Sequence, residues 1–539
     1  MSKSKTILGL DLGTWTCQAC VVVDGKPALI QPDRHYPQAS PTSLAYEAKY
    51  MTSAYCHRPP EAGGPVVGER AYELLRDDRY AADVVLQVKR RMGDDHCKLK
   101  SGAVELTPTE ITGEYVKVLR VAAERQLGLR PGEIEEAVVT VPVDFSGKAL
   151  EATREACRRY GGLEVKLIDE PVAAAYSRRT HELAGVKYVL VADLGGGTFD
   201  VVLLRVGRGV SGVFGFDEAM RDGDPHLGGL DWDQHLVNLV VKSDKLSKVL
   251  TDEQRLRLTG PPHQAGDLRL AHNQLWMECE RRKRTFYEQY DKKPAKLRVE
   301  RFCLKPNERT YDIEVSSEEY LKSTRHLVRR CCDICERMFQ DYQDLGGPKD
   351  FGWKDVDEIY LAGGGSNMKT VQDEFQARWG KAPAVDEAPQ YAVVRGAAWA
   401  AEDLRLGRDV KHLGKRRYKR RVGVEYFQGT GKEPGFHPLI KRNQELPYHS
   451  AKPAQFPAAR VNGSPSLLVK IVEEYRTENG PMREVNRKVL MEDLPPPATG
   501  KEDLIEIRTD CDDEGVPSFE ITFRQRTKKV DFDEDSARP

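Results

Sequence analysis

Apolar positions along the first 405 residues group into short β-type runs and longer helical stripes. Ile7–Thr14 reads as an apolar strand that ends in an Asp-Leu-Gly-Thr turn, and Tyr188–Thr198 reads as one that ends in Asp-Leu-Gly-Gly-Gly-Thr. Each continues as strand, over Cys20–Val23 and Val201–Leu204. A third glycine turn, Ala362–Ser366, follows the apolar run Glu358–Leu361. Between these turns strand and helix patterns alternate. Ala137–Val141 and Val165–Ile168 are strands, Gly147–Tyr160 is helical, and Pro171–Tyr176 opens an alanine-rich helix. Gly266–Phe286, Ser317–Gln343 and Tyr391–Leu404 follow as helices. The alternation predicts α/β architecture to about residue 405. A strand, a tight glycine turn and a second strand, used twice, predict two related lobes.

Helix periodicity stops after residue 405. Leu406–Arg421 is polar and basic and carries the run Lys415–Arg421, which reads as a solvated linker or the guard of an edge strand. Beyond it proline rises, and short alternating runs at Leu467–Val472, Leu504–Ile507 and Phe519–Phe523 predict a small antiparallel β domain. The expected organisation is a nucleotide-binding domain over 1–405, a basic linker over 406–421, a β-sandwich over 422–529 and a frayed acidic tail over 530–539.

Composition adds mainly exclusions. The 83 basic and 84 acidic residues leave a formal charge of −1, so no global pull toward nucleic acid or membrane is expected. No apolar stretch reaches the length of a membrane span, and the first apolar run is short and broken by Asp11, so the cytoplasm is the expected address. The 11 cysteines are odd in number and thinly spread, which argues against a disulfide framework. Cys17 and Cys20 sit at an odd offset on a strand and Cys332 and Cys335 lie in a helical stretch, so both C-x-x-C spacings read as ordinary buried thiols.

Glycine turns let backbone N–H groups approach a phosphate with no side chain in the way. One such turn is equally what a hairpin looks like. Two Asp-Leu-Gly turns and a third glycine turn, each at a strand end, point to a nucleotide triphosphate. Mg²⁺ takes oxygen ligands and needs only one or two carboxylates beside phosphate, which fits Asp11 and Asp193 facing it from opposite sides. Thr14 and Thr198 supply hydroxyls near the terminal phosphate.

These segments resemble the heat-shock-protein 70 (DnaK-type) chaperones. The resemblance rests on Gly9-Leu-Asp-Leu-Gly-Thr14, Val138-Val-Thr-Val-Pro142, Ile168-Asp-Glu-Pro-Val-Ala-Ala-Ala175 and Asp193-Leu-Gly-Gly-Gly-Thr-Phe-Asp-Val201. It continues through Gly223-Asp-Pro-His-Leu-Gly-Gly229, Cys279-Glu-Arg-Arg-Lys-Arg-Thr285 and Leu361-Ala-Gly-Gly-Gly-Ser366. It implies an actin-like two-lobed ATPase domain, of duplicated ribonuclease-H-like lobes, followed by the sandwich. ATP or ADP with Mg²⁺ are the implied cofactors, with K⁺ as a further candidate ion. Lys89, in Val88-Lys-Arg-Arg-Met-Gly93, would orient the attacking water, Glu170 would help place water and metal, and Asp193 and Thr198 would complete the catalytic set. Asp11, Asp193 and Asp200 match the metal-site acids, and Pro142 matches a proline of the inter-lobe switch. Gly13, Thr14, Trp15, Gly195, Gly196, Gly197 and Thr198 would hold phosphates. Glu280, Lys283 and Arg284 would clamp adenosine against Gly363, Gly364 and Gly365. In the sandwich Val424, Phe427, Phe456, Ala459, Leu467 and Val469 would line a peptide cleft, although each equally suits a sandwich core. Implied partners are unfolded or extended polypeptides, a J-domain co-chaperone and a nucleotide-exchange factor, with no membrane or nucleic-acid partner.

The chain departs from the family pattern at Trp15 in the first phosphate loop, Leu230 after the paired glycines, Tyr287 in the adenosine pocket and Asn367 beside the base. Its linker has only scattered apolar residues where the family carries leucines, and the sequence after the sandwich leaves no room for the family's helical lid. Two functions follow as expectations. One is a lidless ATP-hydrolysing chaperone whose nucleotide state modulates peptide binding. The other is a nucleotide-dependent scaffold with little chaperone activity. A sugar-kinase-like enzyme fits less well, because residues after 405 do not read as a second substrate lobe.

Overall fold

The computed structural model describes residues 5–32, 50–57, 64–94, 96–143, 145–178, 187–208, 214–305, 308–408, 417–418, 420–426, 435–442, 444–457, 467–477, 480–491, 504–512, 516–523 and 526–530. Two mixed sheets carry the same strand plan. In the first, Ile7–Leu12 runs antiparallel to Thr16–Val23, which pairs with Lys26–Leu29; on its other side it runs parallel to Glu136–Val141, which pairs with Glu164–Asp169. In the second, Tyr188–Leu194 runs antiparallel to Phe199–Arg208 and then Phe214–Asp224, and parallel to Glu358–Ala362 and then Ala384–Val385. The repeated turns seen in the sequence therefore sit at equivalent points of two sheets with one topology.

Alanine content explains how the sheets meet. Helix Glu170–Ser177 and helix Ala392–Arg405 pack together in one core with Ile7, Val138 and Ile168 of the first sheet and Val189, Val191 and Leu204 of the second. Small side chains let backbones approach closely. A Cβ built on Gly9 would lie 2.2 Å from Ala398 N, and one on Gly396 would lie 1.6 Å from Ala173 O. Each sheet also buries a core on its outer face. Leu8, Leu10 and Val139 pack under helix Pro108–Gln126, which starts with a capping box of Thr107 and Glu110. Leu190 and Val201 pack under helices Gly229–Lys242, which contributes Trp232, and Ser317–Asp344. Cys17 and Cys20 fall in different cores, and Cys331, Cys332 and Cys335 are buried on the long helix.

Among the described residues every regular element after Arg405 is a strand. One sheet runs Gly435–Ile440, Arg421–Tyr426, Leu467–Thr477, Gly480–Met491; the other is built on Leu504–Cys511, Pro517–Phe523 and Arg526–Val530. Ile505, Ile507, Phe519, Ile521 and Phe523 alternate into a shared core with Val422, Val424 and Ile471. Leu467–Thr477 is longer than its apolar run because Glu473 and Glu474 extend it as strand.

The basic run departs from its reading as a solvated linker. Arg420 pairs with Glu473 at 3.1 Å and Arg421 with Glu474 at 2.5 Å, with Arg420 mostly buried. Arg417 donates through Nε to Glu218 O at 3.0 Å, on the edge strand of the second sheet. Residues 415, 416 and 419 lie outside the described set. The β unit makes further contacts with the α/β part. Arg442 pairs with Asp341 at 2.5 Å and Asp222 at 3.4 Å, Arg154 pairs with Asp512 at 3.2 Å, and Val516 packs against both the sandwich core and the first sheet's core.

The close approach at Gly396 gives a test. Gly396→Val should lower the melting midpoint by several degrees, whereas Gly64→Ala, where a Cβ meets nothing within 4 Å, should leave it unchanged. Equal midpoints for the two variants would refute the packing of the two small-residue helices.

Candidate functional site

A cavity of about 680 Å³ opens where the turns of the two sheets face each other. The turns are built alike. Gly13 N donates to Thr16 O at 3.0 Å, and Gly195 N donates to Thr198 O at 3.0 Å. The third turn is closed by Gly363, at φ 78°, whose N–H donates to Pro389 O at 3.1 Å. A Cβ on Gly363 would fall 2.1 Å from Asp193 Oδ1, so only glycine fits that backbone beside that carboxylate.

Of the residues expected from sequence, Asp11, Gly13, Thr14, Trp15, Lys89, Glu170, Asp193, Gly195, Gly196 and Thr198 line this one cavity, as do Glu280, Lys283, Arg284, Gly363, Gly364 and Gly365. Asp200 and Gly197 stand behind its wall. Asp200 is buried and accepts from Val143 N at 2.8 Å, so it holds the loop after Pro142. The Gly197 carbonyl is taken by Arg90 at 2.9 Å.

Electrostatics give the cavity its character. Lys89 lies on the short 3-10 turn Val88–Arg91 and donates through Nζ to Glu170 Oε1, with both side chains nearly buried. Burial raises the Glu170 carboxyl despite the pull of Lys89. Burial, then repulsion from Glu170, Asp200 and Asp11, pushes Asp193 well above the usual carboxylate range. Burial would lower the Lys89 ammonium, yet Glu170 and Asp11 hold it above its ordinary value. Four acidic groups thus crowd around one cation, a balance that a further cation would relieve. Among the described residues no three His, Cys, Asp or Glu side chains form a ready-made metal cage. Among the described residues Asp193 Oδ1 is buried with no hydrogen-bond partner, and Asp11 accepts only the Thr140 hydroxyl, at 2.9 Å. That donor set suits an ion held by one or two carboxylates together with phosphate and water.

The nucleoside end is built on helix Arg269–Glu288. Glu280 pairs with Arg284, and Lys283 donates to Gly229 O and to Asp233 Oδ2, each at 2.8 Å. Tyr287, a departure from the family pattern, turns into the core, stacks on Tyr290 and reaches Thr370 at 3.4 Å. Asn367 is exposed and donates to Gly364 O at 3.1 Å. Trp15 meets Tyr72 edge to face at 5.7 Å. Beside the departure at Leu230, Asp231 accepts from Gly228 N at 2.8 Å in the first turn of helix Gly229–Lys242.

Sequence reasoning missed Arg90, Asp231 and Asp233. The signal for the acids was their spacing after the paired glycines; Arg90 left none, because its partner is a backbone carbonyl distant in sequence.

The peptide-cleft expectation needs correction at two positions. Val424 and Val469 are each 2 % exposed and point into the sandwich core, because alternation on their strands faces the second sheet. They offer no surface to a peptide in this conformation. Phe427 and Ala459 lie outside the described residues, and for Phe456 and Leu467 the backbone alone is described, paired with Ile505 and Met491.

Burial pushes the Asp233 carboxyl from 3.8 up to about 6 against the pull of Lys283. A raised carboxyl contributes stability below its unfolded value and loses it as pH rises through the folded one. Asp233→Asn should therefore gain in melting midpoint relative to the unaltered chain as pH is raised from about 4 to about 7. A difference in midpoint that stays constant over that range would refute the assignment.

A family model described as "Hsp70 protein" matches residues 68–536 of the chain. The chaperone protein DnaK of Thermotoga petrophila, of Thermotoga sp. (strain RQ2) and of Thermotoga maritima are each 29 % identical to it over 461 residues, covering 84 % of this chain and 68 % of the relative. With the matching model spanning most of its length, the chain belongs to the Hsp70 family.

Proposed function

We propose that this Hsp70-family chain binds Mg·ATP in the cavity between the paired turns, hydrolyses it slowly, and uses the nucleotide state to control how its sandwich docks and holds extended apolar peptide. One observation carries the coupling. Asp200, behind the phosphate turn, holds Val143 N at 2.8 Å, and four residues later Gly147 N, the first of helix Gly147–Glu155, donates to Glu473 Oε1 of the sandwich at 3.3 Å. Glu473 is 2 % exposed and also accepts from Tyr418 at 2.5 Å and Arg420 at 3.1 Å. A carboxylate beside the positive end of a helix is favoured by the helix dipole as well as by the bond. Any movement of the loop over 142–146 is thus felt by the sandwich and its linker together.

The chemistry asked of the chain is positioning and charge stabilisation. The twin turns present backbone N–H groups to the phosphates. Lys89, fixed by Glu170, orients a water at the terminal phosphate, and Thr198 places its hydroxyl there. Mg²⁺, when bound, neutralises charge on the phosphate oxygens. Glu280, Lys283 and Arg284 hold the nucleoside. A J-domain protein and a nucleotide-exchange factor are the proposed partners.

Val424 and Val469, sealed in the core, favour a second reading in which the sandwich is a nucleotide-gated interaction module with no open peptide cleft. Peptide binding separates the two.

Two outcomes are expected. In single-turnover hydrolysis Lys89→Ala should lose on the order of a hundredfold in rate while still binding ATP, since positioned charged groups typically contribute at this scale; an unchanged rate would dismiss Lys89 from the chemistry. For a labelled extended apolar peptide, affinity should differ between ATP and ADP by about five- to 150-fold, the usual range of coupled sites, and Glu473→Ala should shrink that ratio toward one. Equal affinity in both nucleotide states would sink the coupling, and absence of peptide binding would favour the interaction module.

A further inference from the structure

Three consecutive carbonyls of the second phosphate turn are each held by a named donor. Gly229 N donates to Gly195 O at 3.0 Å, Leu230 N to Gly196 O at 2.9 Å, and the Arg90 guanidinium to Gly197 O at 2.9 Å. A trans peptide sets its N–H opposite to its C=O. Fixing the three carbonyls therefore fixes the N–H directions of Gly196, Gly197 and Thr198, on the side away from the three donors. Successive N–H groups with a common direction form a concave anion seat.

The donors differ in origin. The first two come from helix Gly229–Lys242, which packs under the same sheet as the turn. The third comes from Val88–Arg91, the short segment that carries Lys89 and packs with the first sheet's core through Val88. Arg90 is mostly buried, and its guanidinium stands 3.9 Å from Asp231, the residue that caps the helix supplying the other two donors. Space there is tight. A Cβ on Gly197 would lie 2.7 Å from Thr14 Cγ2 and 3.0 Å from Arg90 Nε, so the turn is wedged between the first phosphate turn and the arginine.

We propose that Arg90 is a positioning residue for hydrolysis, setting the Gly197–Thr198 peptide of the second phosphate turn from the same segment that presents Lys89. The inference rests on the ATP-hydrolysis reading above. Its physical content is that the third peptide is oriented only when the Lys89 segment is seated against the turn. Lysine placement and peptide orientation then arrive in one movement, and a nucleotide bound to a parted cleft meets neither. Arg90 contributes to the reaction through the turn, and to nucleotide retention much less, because the Gly195 and Gly196 carbonyls keep their own donors.

The test is single-turnover hydrolysis at saturating ATP, with ATP affinity measured in parallel, on the unaltered full chain, Arg90→Ala and Arg90→Lys. Arg90→Ala should hydrolyse about tenfold more slowly, equivalent to about 1.4 kcal/mol of barrier, with affinity changed by less than about threefold. Arg90→Lys should recover part of the rate, and millimolar guanidinium should recover part of it in Arg90→Ala but none in Lys89→Ala. Hydrolysis by Arg90→Ala at the unaltered rate would overturn the proposal. So would an equal loss of rate and affinity that neither lysine nor guanidinium restores, which would make Arg90 a packing residue. An unaltered chain that binds ATP without turning it over would overturn the hydrolysis reading itself, a result told apart by the first measurement.

Discussion

The constraint on which this structure turns is an excess of buried negative charge. Glu170, Asp193 and Asp200 are nearly inaccessible, Asp11 stands beside them, and Lys89 is the cation placed among them. Burial of unbalanced carboxylates is costly, and each raises the others. Two sheets of identical plan bring these acids together at their turn ends, and the sheets are held there by the alanine-rich helices between them. Asp11 and Asp193 are therefore consequences of the duplication, and Asp200 and Glu170 add to them. A chain that repeats a strand ending in aspartate and brings the copies face to face must supply a place for a cation or leave the repulsion standing.

Much of this was legible in the sequence, for reasons that differ from element to element. The turns could be read because they need glycine where a Cβ would strike a backbone atom, as at Gly13, a neighbouring side chain, as at Gly196 and Gly197, or a carboxylate, as at Gly363. The alanine-rich helices could be read from composition, although not that both sit in one seam between sheets. The solvated reading of the basic run did not anticipate its bonds to the rest of the chain. A run of arginines looks solvated when its partners, the Glu218 carbonyl and the Glu473 and Glu474 carboxylates, lie 199, 53 and 53 positions away in the chain. The cleft residues of the sandwich were misplaced at Val424 and Val469 because alternation gives two faces without saying which faces the partner sheet.

The arginines also change how the linker's departure from its family should be understood. Only scattered apolar residues stand where the family's linker carries leucines. The structure supplies charge instead: Arg420 pairs with Glu473 beside the junction and Arg442 with Asp341 across it, while Arg417 donates to the Glu218 main-chain carbonyl. Charge-assisted bonds of this kind are directional and fix an orientation, whereas a leucine contact tolerates several. They also weaken with ionic strength where they are exposed. The junction is thus specific in geometry and dependent on its ionic surroundings.

The seam of small side chains between the sheets has a mechanical meaning. Alanine has no rotamer to reset and glycine none to clash, so the helices Glu170–Ser177 and Ala392–Arg405 meet as smooth cylinders and not as interlocked knobs. Packed helices of this kind move by small sliding displacements, a shear motion, at little conformational expense. Glu170 is the first residue of one of these cylinders. A slip of a fraction of a turn along the seam would carry with it the carboxylate that holds Lys89, so a shear between the sheets acts directly on the most highly charged point of the site.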